Sequence, residues 1–383
     1  MNPLYQSMPT SIFTHMSALA VEHGAINLGQ GFPDFGWPGD VIERAAEELL
    51  RGSNQYAPMP GLPVLREAVA AHYRRHQGLE VSAAEVTVTS GATEALAAAL
   101  MALISPGDEV LLFQPVYDAY LPLILRAGGV PRFIRLTPPD WRITEEKLAE
   151  AFTERTRVVV FNNPHNPVAR VFGEDELRLL AEACVRADAV AVTDEVWEHL
   201  VFDGRRHLPL AAMPGMAERT VKVGSAGKIF SVTGWKVGWT VAPAHLSGPV
   251  AKAHQYLAFA TPPNLQAAVA YGLGKDGGYF ESMRAGFAAA RDFLVGSLQA
   301  DGFVTLPAEG TYFVCVDLAG SGIAADDVAF CERAVREAGV AAIPVSAFYA
   351  EDPVTSVIRL CFAKKPETLE AGIERMRAAR ALF

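Results

Sequence analysis

Short apolar runs recur along the first two thirds of the chain, at Glu85–Thr89, Glu109–Phe113, Arg157–Asn162, Ala189–Thr193, Thr220–Gly224 and Val237–Ala242. Between them, Thr93–Leu103, Asp118–Ala127 and Glu174–Ala187 repeat their apolar positions with helical periodicity. Near-continuous apolar strands alternating with helices predict an α/β fold whose sheet is largely parallel and covered by helices on both faces. After about Asp276 the pattern changes. A long helical stretch, Tyr279–Asp301, leads into Gly302–Pro307, Tyr312–Leu318, a helix near Asp326–Ala338, the run Val357–Phe362 and a last helix. That succession predicts a smaller α+β domain. No internal repeat, low-complexity tract or charge block interrupts the chain.

With 383 residues, half of them hydrophobic, there is material for two domains or for one large domain with a satellite. The formal charge of -10 argues against a nucleic-acid or anionic-membrane partner, whose phosphates would be repelled. No Lys or Arg precedes Arg44, so neither a secretory signal nor an Arg-rich transit peptide is expected. The longest apolar run, Ala95 to Ile104, is too short to span a bilayer. Cys184, Cys315, Cys331 and Cys361 show no CxxC spacing and read as reduced packing residues, which points to the cytoplasm.

Ligands of open α/β sheets bind beyond the carboxyl ends of the strands, so the residues following each run carry the functional signal. The first run is followed by Ser90-Gly91-Ala92-Thr93, opening a helix, and the second by Gln114-Pro115-Val116-Tyr117. The third ends in Asn162-Asn163-Pro164-His165-Asn166-Pro167, the fourth in Asp194-Glu195 and the fifth in Ser225-Ala226-Gly227-Lys228. An anion cradle, an aromatic ring, an amide, a carboxylate and a lysine would all reach one edge. Each has an ordinary reading too. Ser90 with Glu94 makes a helix cap, Asp194 another cap, Asn166 a turn, Tyr117 core and Lys228 surface. The chemical readings are an anion site at a helix start, a partner for a protonated ring nitrogen, a donor to a phenolic oxygen, a stacking platform and a desolvated nucleophilic amine. Arg359, inside the apolar run Val357–Phe362, needs a buried anion, and its planar fork suits a substrate carboxylate. No G-x-G-x-x-G follows a strand, and neither a phosphate-loop lysine, metal-spaced histidines nor a G-x-S-x-G elbow is present.

Taken in order, these residues resemble the class I aminotransferases that depend on pyridoxal phosphate (PLP), the fold type I group. The branch most similar holds kynurenine/glutamine transaminases, methionine aminotransferases and N-succinyldiaminopimelate aminotransferases. The resemblance rests on Asn27–Asp34, Asn54-Gln55-Tyr56, Asn163–Pro167 and Thr193–Val196. It continues through Ser225–Lys228 with Thr233–Gly238, Gly310–Phe313 and Ile358–Leu360, and so runs through nearly the whole chain.

The resemblance implies the PLP-dependent transferase fold, with a large cofactor-binding domain over residues 47–277 and a small domain built from 1–46 and 278–383. It implies that Lys228 carries the cofactor, that Asp194 pairs with the pyridine nitrogen, that Asn166 donates to the ring hydroxyl oxygen and that Tyr117 stacks on the ring. Ala92, Thr93, Ser225 and Lys236 would hold the phosphate, joined by Tyr56 and Thr261 of a second subunit in a homodimer. Arg359 and Asn166 would clamp the substrate carboxylate beside Gly31, with Phe13 and Phe259 lining the side-chain pocket. Relatives usually carry Tyr where this chain has Trp197, and Thr-Gly where it has Val168-Ala169, so the cofactor's tuning and a local turn are expected to differ. The implied reaction is ping-pong transfer of an amino group from a neutral donor (aromatic, methionine or glutamine-like) to a 2-oxo acid. The alternatives are a cysteine-conjugate β-lyase, an N-succinyldiaminopimelate aminotransferase, or a non-catalytic binding module of the same shape.

Overall fold

The computed structural model describes residues 1–383. In chain order its strands are β1 (Ile26–Asn27), β2 (Val86–Ser90), β3 (Glu109–Gln114), β4 (Val130–Arg135), β5 (Thr156–Asn162), β6 (Val190–Asp194), β7 (Thr220–Ser225) and β8 (Val237–Val241). They continue with β9 (Val304–Thr305), β10 (Phe313–Asp317), β11 (Val340–Ala341), β12 (Ile343–Pro344) and β13 (Val357–Cys361). Strands β2 to β8 form one sheet in the order β2-β8-β7-β6-β5-β3-β4. All neighbours are parallel except at β8, which is antiparallel to both β2 and β7. This is the helix-covered, mostly parallel α/β architecture that the alternating pattern predicts. Strands β3, β7 and β8 contain no solvent-facing position, as a sheet covered on both faces requires.

Two features escape the hydrophobic pattern. Strand β4 pairs only with β3 and leaves Val130, Arg132 and Arg135 exposed, with Ile134 its single buried residue. As an edge strand it tolerates Pro131 and two arginines, which hide it among polar sequence. The direction of β8 is the other, because an apolar run looks the same read either way.

The alanine-rich helix Gly91–Leu103 buries its small side chains against β8 and the helix Ala244–Leu257. Alanines let the helix approach the sheet closely, which brings its first turn to the sheet edge. A second sheet, β12-β13-β10-β9, is antiparallel throughout. Strand β1 pairs in parallel with β11, Ile26 opposite Val340, so the beginning of the chain is tied to its last third. The helix expected over Asp326–Ala338 is an α-helix at Asp327–Arg333 that widens into a π turn at Ala334–Ala338. All four cysteines are free and buried. No helix is long and apolar enough to cross a membrane.

Candidate active site

The carboxyl ends of β5, β6 and β7 stand side by side, with Asn162 paired to Asp194 and Asp194 to Val223, and that of β2 lies at the same edge beyond β8. Because β8 runs the opposite way, its first residues arrive at that same edge, Val237 opposite Ser90 and Gly238 opposite Ser225. Lys236, in the left-handed conformation at φ 53° and ψ 47°, is thereby delivered to the site.

A cavity of about 330 Å3 opens there. Of the predicted residues, its walls include Ala92, Thr93, Tyr117, Asn166, Asp194, Ser225, Lys228, Lys236, Gly31, Arg359 and Phe13. Tyr56, Phe259 and Thr261 are not among them. Tyr56 is 84% exposed and meets the half-exposed Phe259 edge-on, ring centres 5.5 Å apart. Thr261 is buried, and its hydroxyl has no partner within the chain.

One end of the cavity suits an anion. Gly91 takes φ +75°, which only a residue without a side chain adopts freely, and turns the chain from β2 directly into the helix. A Cβ at Gly91 would stand 3.1 Å from the Lys236 Nζ, so the ammonium lies against the helix start. The expected Ser90 cap is corrected: the Ser90 hydroxyl makes no capping bond, and Glu94 Oε2 instead accepts the Ser90 N–H at 2.7 Å. The next N–H groups of the first turn have no intrahelical acceptor and face the cavity together with the helix dipole.

The floor carries two ionisable groups. Burial pushes the Asp194 carboxyl above its ordinary range, and Tyr120, Val196 and the charge of Lys228 offset this only in part. Its hydrogen bonds are a 2.6 Å contact from the Tyr120 hydroxyl and a long 3.4 Å one from the Val196 N–H. Asp194 is thus no helix cap, and Tyr120 is a site residue the sequence reading did not single out. Burial lowers the Lys228 amine to about 8, with Asp194 opposing the shift. Its Nζ donates to the Tyr312 hydroxyl at 3.0 Å and lies 4.6 Å from the centre of the Trp197 ring. Trp197 meets Tyr312 edge-on, centres 4.3 Å apart.

At the other end Arg359 is 1% exposed and forms no ion pair. Its Nη1 donates to Asn166 Oδ1 at 2.8 Å and its Nη2 to the Gly29 carbonyl at 2.9 Å, while Nε has no partner. The guanidinium lies 3.9 Å from the Phe313 ring centre and 5.2 Å from that of Phe13. Asn162, also missed, fixes Asn166 by accepting its N–H at 2.7 Å. A Cβ on Gly31 would come within 2.7 Å of Phe313, so glycine is needed where the segment crosses that ring.

A buried amine poised near neutrality, a desolvated carboxylate, an anion cradle and an unpaired guanidinium share one cavity, and the sequence comparisons supply the family to which such a set belongs. The family model described as aminotransferase class I and II matches residues 23–376. The chain belongs to that family. The chain is 45% identical to the methionine aminotransferase of Escherichia coli K12 over 96% of its own length and 95% of that relative. It is 36% identical to the kynurenine–oxoglutarate transaminase of Dictyostelium discoideum, over 97% and 94% of the two chains. The solved N-succinyldiaminopimelate aminotransferase from Mycobacterium tuberculosis superposes with a TM-score of 0.95 at 43% identity, covering 98% of this chain and 99% of that one. This aminotransferase is therefore an enzyme of the branch that its motifs resemble, with the fold type I architecture.

Proposed function

We propose that this aminotransferase uses pyridoxal phosphate to move the amino group of a neutral amino acid to a 2-oxo acid, the donor leaving as its 2-oxo acid before the acceptor enters the same cavity. The observation that carries the reading is Lys228, a buried amine brought down to about 8 in the same cavity as a buried carboxylate that no cation touches. The residues fit the cofactor. The free N–H groups of Ala92 and Thr93, with Ser225 and Lys236, offer a site for its phosphate, and Asp194 faces the cavity as a partner for a ring N–H. Asn166, whose carbonyl oxygen is taken by Arg359, keeps its amide hydrogens for an oxygen acceptor. Tyr117 supplies a face for stacking.

The cofactor would supply an electron-withdrawing ring in conjugation with the substrate Cα. Lys228 Nζ takes the Cα proton, and its lowered pKa leaves a useful fraction of free amine at neutral pH. Asp194 stabilises a proton on the ring nitrogen, and Tyr120 fixes the carboxylate's direction. Arg359 presents its unpaired guanidinium to the substrate carboxylate, so the Cα–H bond is held toward Lys228.

The donor's side chain would meet Phe13, Phe32, Tyr117 and Phe313. The cations lining the cavity are Lys228, Lys236 and Arg359, each with a role already. A distal carboxylate would be desolvated without a partner, which is costly. Methionine, aromatic amino acids or glutamine are therefore the proposed donors, ahead of N-succinyldiaminopimelate, the substrate named for a relative of nearly identical fold. The test is kcat/KM across donors with one acceptor. Methionine and phenylalanine should exceed aspartate and N-succinyldiaminopimelate, and the reverse order would refute the assignment.

A homodimer and a cytoplasmic location belong to the same proposal. The 84% exposed Tyr56 and the Phe259 ring it meets form an aromatic surface suited to a second copy, which would bring Tyr56 and Thr261 to its neighbour's phosphate end. Division into bodies 47–277 and 1–46 with 278–383 is also proposed. The first of these boundaries falls inside the helix Gly39–Arg51, which packs on the helix Pro263–Leu273.

A further inference from the structure

Tyr312 closes the Thr311-Tyr312 turn that leads into β10, and its ring is fully buried. Its hydroxyl makes two contacts. It donates its proton to the Gly31 carbonyl and accepts a hydrogen bond from Lys228 Nζ at 3.0 Å. With the phenolic proton committed to Gly31, the oxygen can meet Lys228 only as an acceptor. The ring has little freedom to swing away. Trp197 stands edge-on to it at 4.3 Å and Phe313 at 4.9 Å, with Phe287 behind at 6.3 Å. Burial also raises the Tyr312 hydroxyl well above its ordinary pKa, so it keeps its proton at working pH.

Gly31 belongs to a segment with a second attachment to the site. Two residues earlier, the Gly29 carbonyl accepts from Arg359 Nη2 at 2.9 Å. One residue later, the Phe32 carbonyl accepts from Lys364 Nζ at 2.9 Å. The Gly29–Phe32 backbone therefore links the guanidinium to the phenol that holds the lysine. The strip that anchors Tyr312 is thus also held by Arg359.

We infer that Tyr312 is a positioning residue for Lys228: by accepting from Nζ while anchored to Gly31, it aims the amine's lone pair into the cavity and ties its position to the Arg359 clamp. The inference rests on Lys228 being the reactive amine. When the amine is free, its N–H points to Tyr312 and its lone pair is left for the proton it must take. A hydrogen bond accepted from Nζ also favours the charged ammonium over the neutral amine. Loss of that bond should therefore lower the amine's pKa further.

The test is Tyr312→Phe, which keeps the ring and its packing and removes only the oxygen. In the cofactor-free protein, the pH dependence of Lys228 modification by an amine-selective reagent, read by peptide mass spectrometry, reports the pKa directly. It should fall by about one unit, the size of one lost hydrogen bond. In the loaded enzyme kcat should fall about 10- to 100-fold, with KM for the donor within about 3-fold. An unchanged Lys228 pKa, or a rise in KM with kcat intact, overturns the inference and leaves Tyr312 as packing. Should that variant fail to fold, 3,5-difluorotyrosine placed at position 312 keeps the shape and weakens the oxygen as an acceptor. It should move the Lys228 pKa in the same direction, and no movement again refutes the role. Failure of the reading of Lys228 itself would look different, since Lys228→Ala would then retain turnover.

Discussion

Lys222 is buried on β7 and Lys228 lies partly buried on the single helical turn that follows it, in opposite electrostatic circumstances. Lys222 Nζ contacts Glu195 Oε2 and, at 2.9 Å, Glu198 Oε2. Burial would lower its pKa, yet the two carboxylates hold it above the ordinary lysine value. Glu195 responds to the same pairing in the opposite direction. Burial alone would raise it, but Lys222 and His207 draw it down to about 2. Around them Gln77 and Tyr73 donate to Glu198 at 2.5 and 3.3 Å, and Trp239 donates to Tyr73 at 2.8 Å. His72 and His199 close the cluster with an Nε2-to-Nε2 contact of 2.7 Å. Lys228 touches no carboxylate, and burial lowers it to about 8. The first lysine is a structural cation with its charge compensated. The second is a cation the fold leaves without a carboxylate partner, which is the circumstance its proposed role as the reactive amine calls for.

The sharpest way to break this comparison is Lys228→Ala. Transamination should fall by at least about 1000-fold while the protein stays folded, because in the proposed mechanism the amine is cofactor anchor and proton carrier, and the core does not need it. Full turnover without added amine would remove Lys228 from the site.

Next in size is Lys222→Met. It leaves Glu195 and Glu198 buried without their cation, so stability should fall by about 3–5 kcal/mol, read as a lower denaturant midpoint. An unchanged midpoint would mean that the cluster is not held by its charges.

The same exchange at the other lysine should act with the opposite sign. Lys228→Met should raise the Tm of the cofactor-free protein, since it removes a desolvated ammonium. The folded pKa of about 8 lies below the unfolded value of 10.5, so the unfolded chain binds more protons between these limits. The native penalty is therefore fully present below pH 8 and fades as pH rises through the unfolded pKa, with an upper bound of about 3 kcal/mol. The Tm difference between Lys228→Met and the native chain should shrink from pH 8 toward pH 10.5. A difference independent of pH would put its cause in packing.

The smallest effect concerns Trp197. By the family resemblance, a tyrosine there would donate a hydrogen bond to the cofactor's ring oxygen and so favour loss of the proton from the lysine–cofactor linkage. Trp197→Tyr should lower the pH of the enzyme's spectral transition by about one unit. An equal or higher value in the variant would show that the indole already performs this task.

Much of the site was legible because strand ends converge in an α/β fold, so Asp194, Asn166, Ser225 and Lys228 could be grouped from their place after apolar runs. Tyr56, Phe259 and Thr261 came only with the resemblance, and within one chain they remain outside the cavity. Tyr120 and Tyr312 were passed over for a physical reason. Each sits in an apolar stretch where a tyrosine reads as core, and its hydroxyl acquires meaning only from a carboxylate or an amine far along the chain. Lys222 reads in sequence as a charge within an apolar strand, a pattern that does not reveal the two glutamates waiting for it.

The sequence by itself determined the alternation of strands and helices, the set of residues at the sheet edge and the family they resemble, because these follow from periodicity and from local order along the chain. The direction of β8, the edge place of β4, the pairing of Lys222 and the isolation of Lys228 were decided by tertiary structure. Pairing and desolvation depend on distances of a few ångströms between residues remote in sequence, and a buried charge is structural or reactive according to what those distances bring beside it.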